Sequence, residues 1–205
     1  MKRKYENKLI IGITGGAGSG KSSVADYLIE KYDADFIHCD VIAHELMEPG
    51  GLTYGPLLEE YGRSILEDDS DRISRAKLTL AVSRAEKGFE RLNELTHPIV
   101  SEEVVRRMKN SDHRLVLVEA ALLIESGIGK LCDEVWFVYA RKDERIMRIK
   151  ASRDWSDEKI KSIMDNQLSD EEFRQKSDFV IENHNGSDSW KKEADERIMF
   201  LDADR

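Results

Sequence analysis

The sequence predicts an α/β fold in which helices cover both faces of a doubly wound, parallel sheet of five strands. Three observations predict it: short apolar segments alternate with helical ones, the first segment is apolar on both faces, and a glycine-rich loop joins it to a helix. A chain of 205 residues, 40% of them hydrophobic, can bury one core, so we expect a single domain over residues 1–205.

The N-terminal part reads as a βαβ unit. Leu9–Thr14 is rich in β-branched residues and is predicted to be a buried strand. The apolar spacing from Val24 to Ile29 predicts the helix that follows the loop, and Asp35–Asp40 is predicted to be the second strand.

Charged helical stretches separate the later strands. From Val41 to about Lys109 we expect helices without a strand, broken at Pro49 and again at Pro98. The remaining elements are predicted to be strands at Leu115–Val118, Glu134–Ala140 and Phe179–Ile181, a helical stretch from Asp143 to about Lys176, and a final amphipathic helix at about Ser189–Phe200.

Composition excludes several classes of protein. A net charge of −9 and a pI near 5.2 argue against non-specific nucleic-acid binding, which needs a basic surface. The apolar run Leu9–Ile13 is too short for a signal peptide or a membrane helix, so we expect a cytoplasmic protein with no membrane partner. Cys39 and Cys132 lack CxxC spacing, which predicts ordinary thiols and neither a disulfide framework nor a zinc site.

The glycine-rich loop fits the pattern G-x-x-x-x-G-K-[ST] between a strand and a helix, which is typical of a P-loop kinase-like fold. Lys21 is expected to contact the β- and γ-phosphates of ATP, Ser22 to bind Mg²⁺, and Ser23 to support the α-phosphate. The alternative is a glycine-rich turn with an incidental lysine, which this context disfavours. The predicted phosphate-binding residues are Gly15, Gly16, Ala17, Gly18, Ser19, Gly20, Lys21, Ser22 and Ser23.

Two acidic residues follow predicted strands, at the edge where open α/β sheets bind ligands. Asp40 is the candidate general base toward a substrate hydroxyl, or alternatively the N-cap of the helix that begins near Val41. Glu119 follows the third strand and is the candidate to hold Mg²⁺ through water, or alternatively a cap or an ion-pair partner. Glu125 is a weaker candidate and is expected at the surface.

Four basic residues lie in the helical stretch after the fourth strand: Arg145, Arg148, Lys150 and Arg153. They are expected either in a lid that brings arginine to the transferred phosphate or on a solvated helix face. Arg148 and Arg153 are five positions apart, so both can point to one ligand only if the helix ends between them. By itself, His97 is expected to be a structural, hydrogen-bonded histidine.

From about Leu9 to Gly186 the chain resembles dephospho-coenzyme A kinase, the family that completes coenzyme A synthesis. Ordered similarities carry this resemblance: the loop with its preceding Thr14, Asp40-Val41-Ile42-Ala43-His44 followed by Glu48-Pro49-Gly50, Ile73-Ser74-Arg75-Ala76-Lys77-Leu78, Leu92-Asn93-Glu94-Leu95-Thr96-His97-Pro98, and Asp178-Phe179-Val180-Ile181-Glu182-Asn183. Two departures are His38, where the family usually has the first acid of Asp-Ala-Asp, and Ala121, where it usually has proline.

The resemblance implies γ-phosphate transfer from ATP to the 3′-hydroxyl of dephospho-coenzyme A. It implies that Asp40 is the base, that Arg75 and His97 lie near the acceptor, that Asn183 lies beside the adenine and that Arg153 belongs to the lid. It also implies a nucleotide-binding core at 9–40, 113–142 and 177–205, a helical substrate-binding region at 41–112 and a lid at 143–176. Two alternatives stay open: a kinase of another nucleoside or small molecule, and a nucleotide-binding regulator with little transferase activity.

Overall fold

A computed structural model describes residue 5 and residues 7–120, 122–184 and 187–203. The sequence departure at Ala121 therefore lies outside the described residues. Within the described part of the chain, no helix is both long enough and apolar enough to cross a membrane.

The strands and helices alternate along the chain as the sequence predicts. The strands are β1 (Leu9–Thr14), β2 (Asp35–His38), β3 (Leu115–Glu119), β4 (Glu134–Tyr139) and β5 (Phe179–Glu182). The helices are α1 (Lys21–Tyr32), α2 (Cys39–Met47), α3 (Tyr54–Tyr61), α4 (Arg75–Arg84), α5 (Gly88–Asn110), α6 (Lys142–Ser152), α7 (Asp157–Asp165), α8 (Asp170–Gln175) and α9 (Ser189–Ala203), with short 3₁₀ turns at Arg63–Ile65 and Ile128–Leu131.

The five strands form one sheet in the order β2-β3-β1-β4-β5. Strand β1 pairs in parallel with β3 and β4, and β4 pairs in parallel with β5. The register places Ile13 of β1 opposite Glu119 of β3 and opposite Trp136 of β4. The predicted parallel, five-stranded α/β sheet is therefore confirmed, and the carboxyl ends of its central strands meet at one edge.

The chain divides into two compact units, one formed by the described residues of Met1–Ile37 and Ser111–Arg205, the other by His38–Asn110. In the first unit, β1 is fully buried, and α1 and α9 cover the core through Val24, Leu28, Trp190 and Ile198. In the second unit, a smaller apolar core holds the helices together through Leu57, Ile65, Leu78 and Val82.

Strand β2 is two residues shorter than the sequence predicts. It ends at His38, and helix α2 starts at Cys39. The reason is periodicity: Cys39, Ile42 and Leu46 are buried along one face of α2, so burial of this stripe favours helix from Cys39 onward.

The predicted helix break at Pro98 is wrong, because Pro98 lies inside the continuous helix α5. Proline lacks the N–H that would bond to the carbonyl four residues earlier, which normally destabilises a helix interior. The second half of α5 buries Val100, Val104 and Met108, and this packing outweighs the lost hydrogen bond. Pro49, by contrast, lies between α2 and α3, as predicted.

Candidate functional site

The loop between β1 and α1 has the backbone of a phosphate-binding loop. Gly15, Gly18 and Gly20 have φ angles of +145°, +76° and +93°. Residues with a side chain adopt such angles only at a cost in conformational energy. A Cβ on Gly20 would lie 2.1 Å from Asn183 Nδ2, and one on Gly16 would lie 2.1 Å from Arg145 Nη2. The loop therefore requires glycine both for its conformation and for its close contact with side chains from elsewhere in this unit.

Lys21 and Glu119 are brought together at the edge of the sheet. Lys21 is the first residue of α1, and its Nζ donates to the Gly15 carbonyl at 2.9 Å and to the Gly16 carbonyl at 3.4 Å. Glu119 ends β3, and its Oε1 lies 3.9 Å from Lys21 Nζ. Both side chains are largely shielded, with 13% and 11% of their surface exposed. The site thus combines a cation and a carboxylate beside the loop.

Three hydroxyl groups of the loop differ in their surroundings. Ser22 and Ser23, in the first turn of α1, are exposed, so their hydroxyls are accessible to a ligand. The Ser19 hydroxyl is buried, and no hydrogen-bond partner for it exists in the described part of the chain. The roles of Ser22 toward Mg²⁺ and of Ser23 toward the α-phosphate stay predictions.

Arg148 and Asn183 support the loop from outside it. Arg148 Nη1 donates to the carbonyls of Gly18 at 3.4 Å and Ser19 at 3.1 Å, and its Nη2 donates to the Asn183 carbonyl at 2.9 Å. The Asn183 side chain, which is buried, donates from Nδ2 to the Ser19 carbonyl at 2.8 Å. These bonds join α6 and the end of β5 to the loop.

Arg145 is a second arginine at the loop and, unlike Arg148, it is buried. Its Nε donates to the Ala17 carbonyl at 3.1 Å, and its Nη1 contacts Asp170 Oδ1 at 3.2 Å. Burial lowers the pKa of the Arg145 guanidinium, while Asp170 acts in the opposite direction and favours its charged form. Arginine remains charged at neutral pH, so a buried positive charge lies against the loop.

Sequence reasoning missed Gln167, whose Oε1 accepts from the Ala17 backbone N–H at 3.0 Å. This glutamine lies between α7 and α8 and is 150 positions from Ala17, so no local pattern marks it. Arg145 appeared in the sequence only as one of several basic residues on a helix.

An open cavity of about 720 Å³ adjoins Arg148 and Asn183. Its walls combine aromatic, charged and amide side chains: Ser23, Asp26, Tyr27, Arg148, Asn183, His184, Trp190 and Lys191. His184 is held by two carboxylates, with Nδ1 3.3 Å from Glu144 Oε2 and Nε2 3.2 Å from Glu182 Oε2. The mixture of aromatic faces and hydrogen-bonding groups suits a flat, polar ring such as a nucleobase.

Helix α6 ends between Arg148 and Arg153, which was the condition for both arginines to face one ligand. The helix stops at Ser152, and Arg153 is its extended C-cap residue. The Arg153 guanidinium lies 4.4 Å from the centre of the Trp155 ring and is exposed. The structure therefore brings Arg145 and Arg148 to the loop and places Arg153 on a tryptophan at the surface.

The other predicted substrate residues belong to the second unit. Asp40 is exposed in the first turn of α2, and His38 is the N-cap residue, so the interpretation of Asp40 as the cap is wrong. Arg75 begins α4, and its Nε donates to His44 Nδ1 at 3.2 Å. His97 lies within α5, where burial lowers its pKa.

Comparisons with known proteins show the family to which the chain belongs. The model of the dephospho-CoA kinase family matches residues 9–189. The dephospho-CoA kinase of Oceanobacillus iheyensis is 33% identical over 190 residues, which is 91% of this chain and 94% of the relative.

Solved structures show the same fold. A Thermus thermophilus protein superposes with a TM-score of 0.80 at 26% identity, covering 96% of this chain and 99% of that chain. A dephospho-CoA kinase from Campylobacter jejuni superposes with a TM-score of 0.67 at 24% identity, covering 94% of this chain and 96% of that chain.

Proposed function

Because the chain belongs to the dephospho-CoA kinase family, we propose that it transfers the γ-phosphoryl group of ATP to the 3′-hydroxyl of dephospho-coenzyme A, the last step of coenzyme A synthesis. The observation that carries the proposal is Lys21, whose ammonium lies on the carbonyls of a glycine-rich loop and 3.9 Å from Glu119. We place the reaction in the cytoplasm.

ATP binds with its phosphates against the loop. Backbone N–H groups of the loop and the N-terminus of α1 favour an anion there, and Lys21 adds a positive charge. The adenine occupies the cavity beside Arg148 and Asn183, where Tyr27, His184 and Trp190 offer aromatic surface. ATP is thus held at both ends by residues of one unit.

Mg²⁺ fits the donor set at this edge, because a hydroxyl and a carboxylate are the hard oxygen ligands that it prefers. Ser22 would bind the ion directly, and Glu119 would hold it through water. When bound, the ion neutralises part of the charge on the β- and γ-phosphates.

Asp40 acts as the general base in the transfer step. Its carboxylate accepts the proton of the acceptor 3′-hydroxyl as the hydroxyl oxygen forms a bond to the γ-phosphorus. The bond between that phosphorus and the β–γ bridging oxygen breaks, and ADP leaves with the electron pair. The exposed position of Asp40 in the first turn of α2 supports this role, since a ligand can reach the carboxylate.

Arg75, His97 and Arg153 are the remaining residues to which we give a role in the reaction. Arg75 binds the anionic part of the acceptor, with its guanidinium oriented by the hydrogen bond to His44. His97 contacts the acceptor as a neutral imidazole, a form that its lowered pKa favours at pH 7. Arg153 leaves the Trp155 ring and stabilises the transferred phosphoryl group when the lid closes.

The test is acceptor-dependent turnover. Purified protein is incubated with ATP and Mg²⁺, with and without dephospho-coenzyme A, and the products are identified by mass spectrometry. We expect ADP together with a product one phosphoryl group heavier than the acceptor. ATP binding without this product would contradict the proposed acceptor, and a panel of nucleosides and small alcohols would then separate a different kinase from a regulator.

A further inference from the structure

We propose that Gln167 and Arg145 are positioning residues that hold two successive peptide groups of the phosphate loop. Gln167 Oε1 accepts from the Ala17 N–H at 3.0 Å, and Arg145 Nε donates to the Ala17 carbonyl at 3.1 Å. We call Gln167, Arg145 and Asp170 the loop clamp. The inference rests on the proposed function, because it concerns how the same loop receives the phosphates of ATP.

Gln167 fixes the peptide group that joins Gly16 to Ala17. In a planar trans peptide the N–H and the C=O point in opposite directions, so holding the Ala17 N–H also sets the direction of the Gly16 carbonyl. That carbonyl accepts from the Ser19 N–H at 3.1 Å and from Lys21 Nζ at 3.4 Å. Gln167 therefore acts on Lys21 through one rigid peptide group.

Arg145 fixes the next peptide group, which joins Ala17 to Gly18. Because its Nε bonds to the Ala17 carbonyl, the Gly18 N–H must point away from Arg145. Gly18 has a φ of +76°, a conformation that glycine leaves readily, so the bond selects one of several accessible peptide orientations. Arg145 thereby orients an amide donor of the loop.

Within the clamp, Arg145 is held in place by burial and by two hydrogen-bond partners. Arg145 is 7% exposed, and its guanidinium bonds at once to the Ala17 carbonyl and to Asp170 Oδ1. Asp170 is the first residue of α8, whose N-terminus is fixed by reciprocal hydrogen bonds between Ser169 and Glu172. Gln167 lies just before this helix start, so the connection between α7 and α8 contacts the Ala17 N–H directly and holds Arg145 of α6 through Asp170.

The chemistry of the contact requires an acceptor at position 167. A backbone N–H can only donate, so the atom facing it must be the carbonyl oxygen of the Gln167 amide. Methionine has nearly the same length and shape but lacks a strong acceptor. Gln167→Met therefore removes the hydrogen bond and retains most of the packing.

We expect Gln167→Met to weaken ATP binding, measured by calorimetry, by about 3- to 10-fold, the effect of losing one ordinary hydrogen bond. The KM for ATP should rise in parallel and kcat should fall. The affinity for adenosine should not change, because adenosine has no phosphates; displacement of a fluorescent nucleotide measures it. Gln167→Asn, which shortens the side chain by one methylene, should show the same selectivity. Arg145→Lys retains the positive charge but lacks the guanidinium that bonds to both Ala17 and Asp170. It should also weaken the binding of ATP and leave that of adenosine unchanged.

The matched control is Gln175→Met, because Gln175 is an exposed glutamine of α8 that bonds to Glu171 at 2.9 Å. It should bind ATP as the wild type does. Unchanged ATP affinity in folded Gln167→Met and Gln167→Asn would overturn the proposal, as would an equal loss for ATP and adenosine. Because these binding measurements need no acceptor, a wild-type protein that fails to make coenzyme A would contradict the proposed function and leave the clamp result intact.

Discussion

The side-chain amide of Asn183 lies so close to the phosphate loop that any side chain at Gly20 would force it to move. Its Nδ2 donates to the Ser19 carbonyl at 2.8 Å, and a Cβ on Gly20 would lie 2.1 Å from the same nitrogen. The end of β5 and the start of α1 thus constrain each other directly. The contact explains why this loop position needs glycine for two separate reasons, conformation and space.

Gly20→Ala should lower the free energy of unfolding by more than the strain of a positive φ alone, which is about 1–2 kcal/mol. Gly50→Ala is the matched control, because Gly50 has a φ of +88°, close to the +93° of Gly20. Apart from its two chain neighbours, no atom of the described residues lies within 4 Å of a Cβ added there. Urea denaturation of both variants measures the difference. Equal losses in the two variants would mean that Asn183 gives way without a penalty.

Lys21→Ala should weaken ATP binding and reduce turnover by about 100-fold or more, because it removes the ammonium that balances phosphate charge. Calorimetry and the coenzyme A assay measure the two effects. Lys192→Ala, at an exposed lysine of α9 with 82% of its side chain accessible, should leave both unchanged. Normal kinetics in Lys21→Ala would remove the loop from the reaction.

Asp40→Asn should depress kcat by about 100- to 10,000-fold, the usual contribution of a general base, and should leave ATP affinity unchanged. Asp112→Asn, at an exposed residue before β3, serves as the control. If Asp40→Asn turns over at the wild-type rate, another group must accept the hydroxyl proton.

Arg197→Met should destabilise the protein by about 3 kcal/mol, because it leaves the carboxylate of Glu134 buried without its charged partner. Arg197 bonds to Glu134 through two nitrogens, its Nε at 3.0 Å, and the Glu134 side chain is 2% exposed. Arg114→Met, which breaks an exposed pair with Asp202, should change stability by less than about 0.5 kcal/mol. Thermal unfolding compares the two variants, and similarly small losses of stability in both would show that the Arg197–Glu134 pair does not stabilise the protein.

Stability should fall in acid partly through Glu103. Arg106 and then Arg107 lower the pKa of this carboxyl from 4.5 to about 2 by hydrogen bonding. The folded pKa is below the unfolded one, so the stabilisation is complete above pH 4.5 and is lost as the pH falls toward 2. Since Arg106 is largely exposed, we expect at most about 1 kcal/mol at pH 7.

Urea midpoints of the wild type and Glu103→Gln should therefore differ at pH 7 and converge as the pH is lowered below 4.5. Glu102→Gln, at the exposed neighbouring residue, should follow the wild type at each pH. A difference between wild type and Glu103→Gln that stays constant with pH would show that the loss comes from packing rather than charge.

The sequence predicted the features that depend on local pattern. The phosphate loop, the strands around it and the final helix follow from residue spacing. Asn183 was singled out by a family motif, and its place beside the adenine stays a prediction. The expected helix break at Pro98 is wrong. The preference of proline for helix ends is outweighed there by the burial of Val100, Val104 and Met108, which is seen only in the folded helix.

The contacts that stabilise the loop could not be read from the sequence, because they are non-local. Arg145 and Gln167 meet Ala17 from 128 and 150 positions away, and neither residue type nor spacing marks such partners.

The strand order has a consequence for how the protein is made. The amide of Ile10 in β1 donates a hydrogen bond to the Asp133 side chain, 123 positions later. The Ser19 carbonyl accepts one from Asn183, 164 positions later. During synthesis the nucleotide-binding loop therefore leaves the ribosome early and stays without its sheet neighbours until most of the chain has emerged. The protein thus acquires its affinity for nucleotide late in translation, when β1 can pair with strands from the second half of the chain.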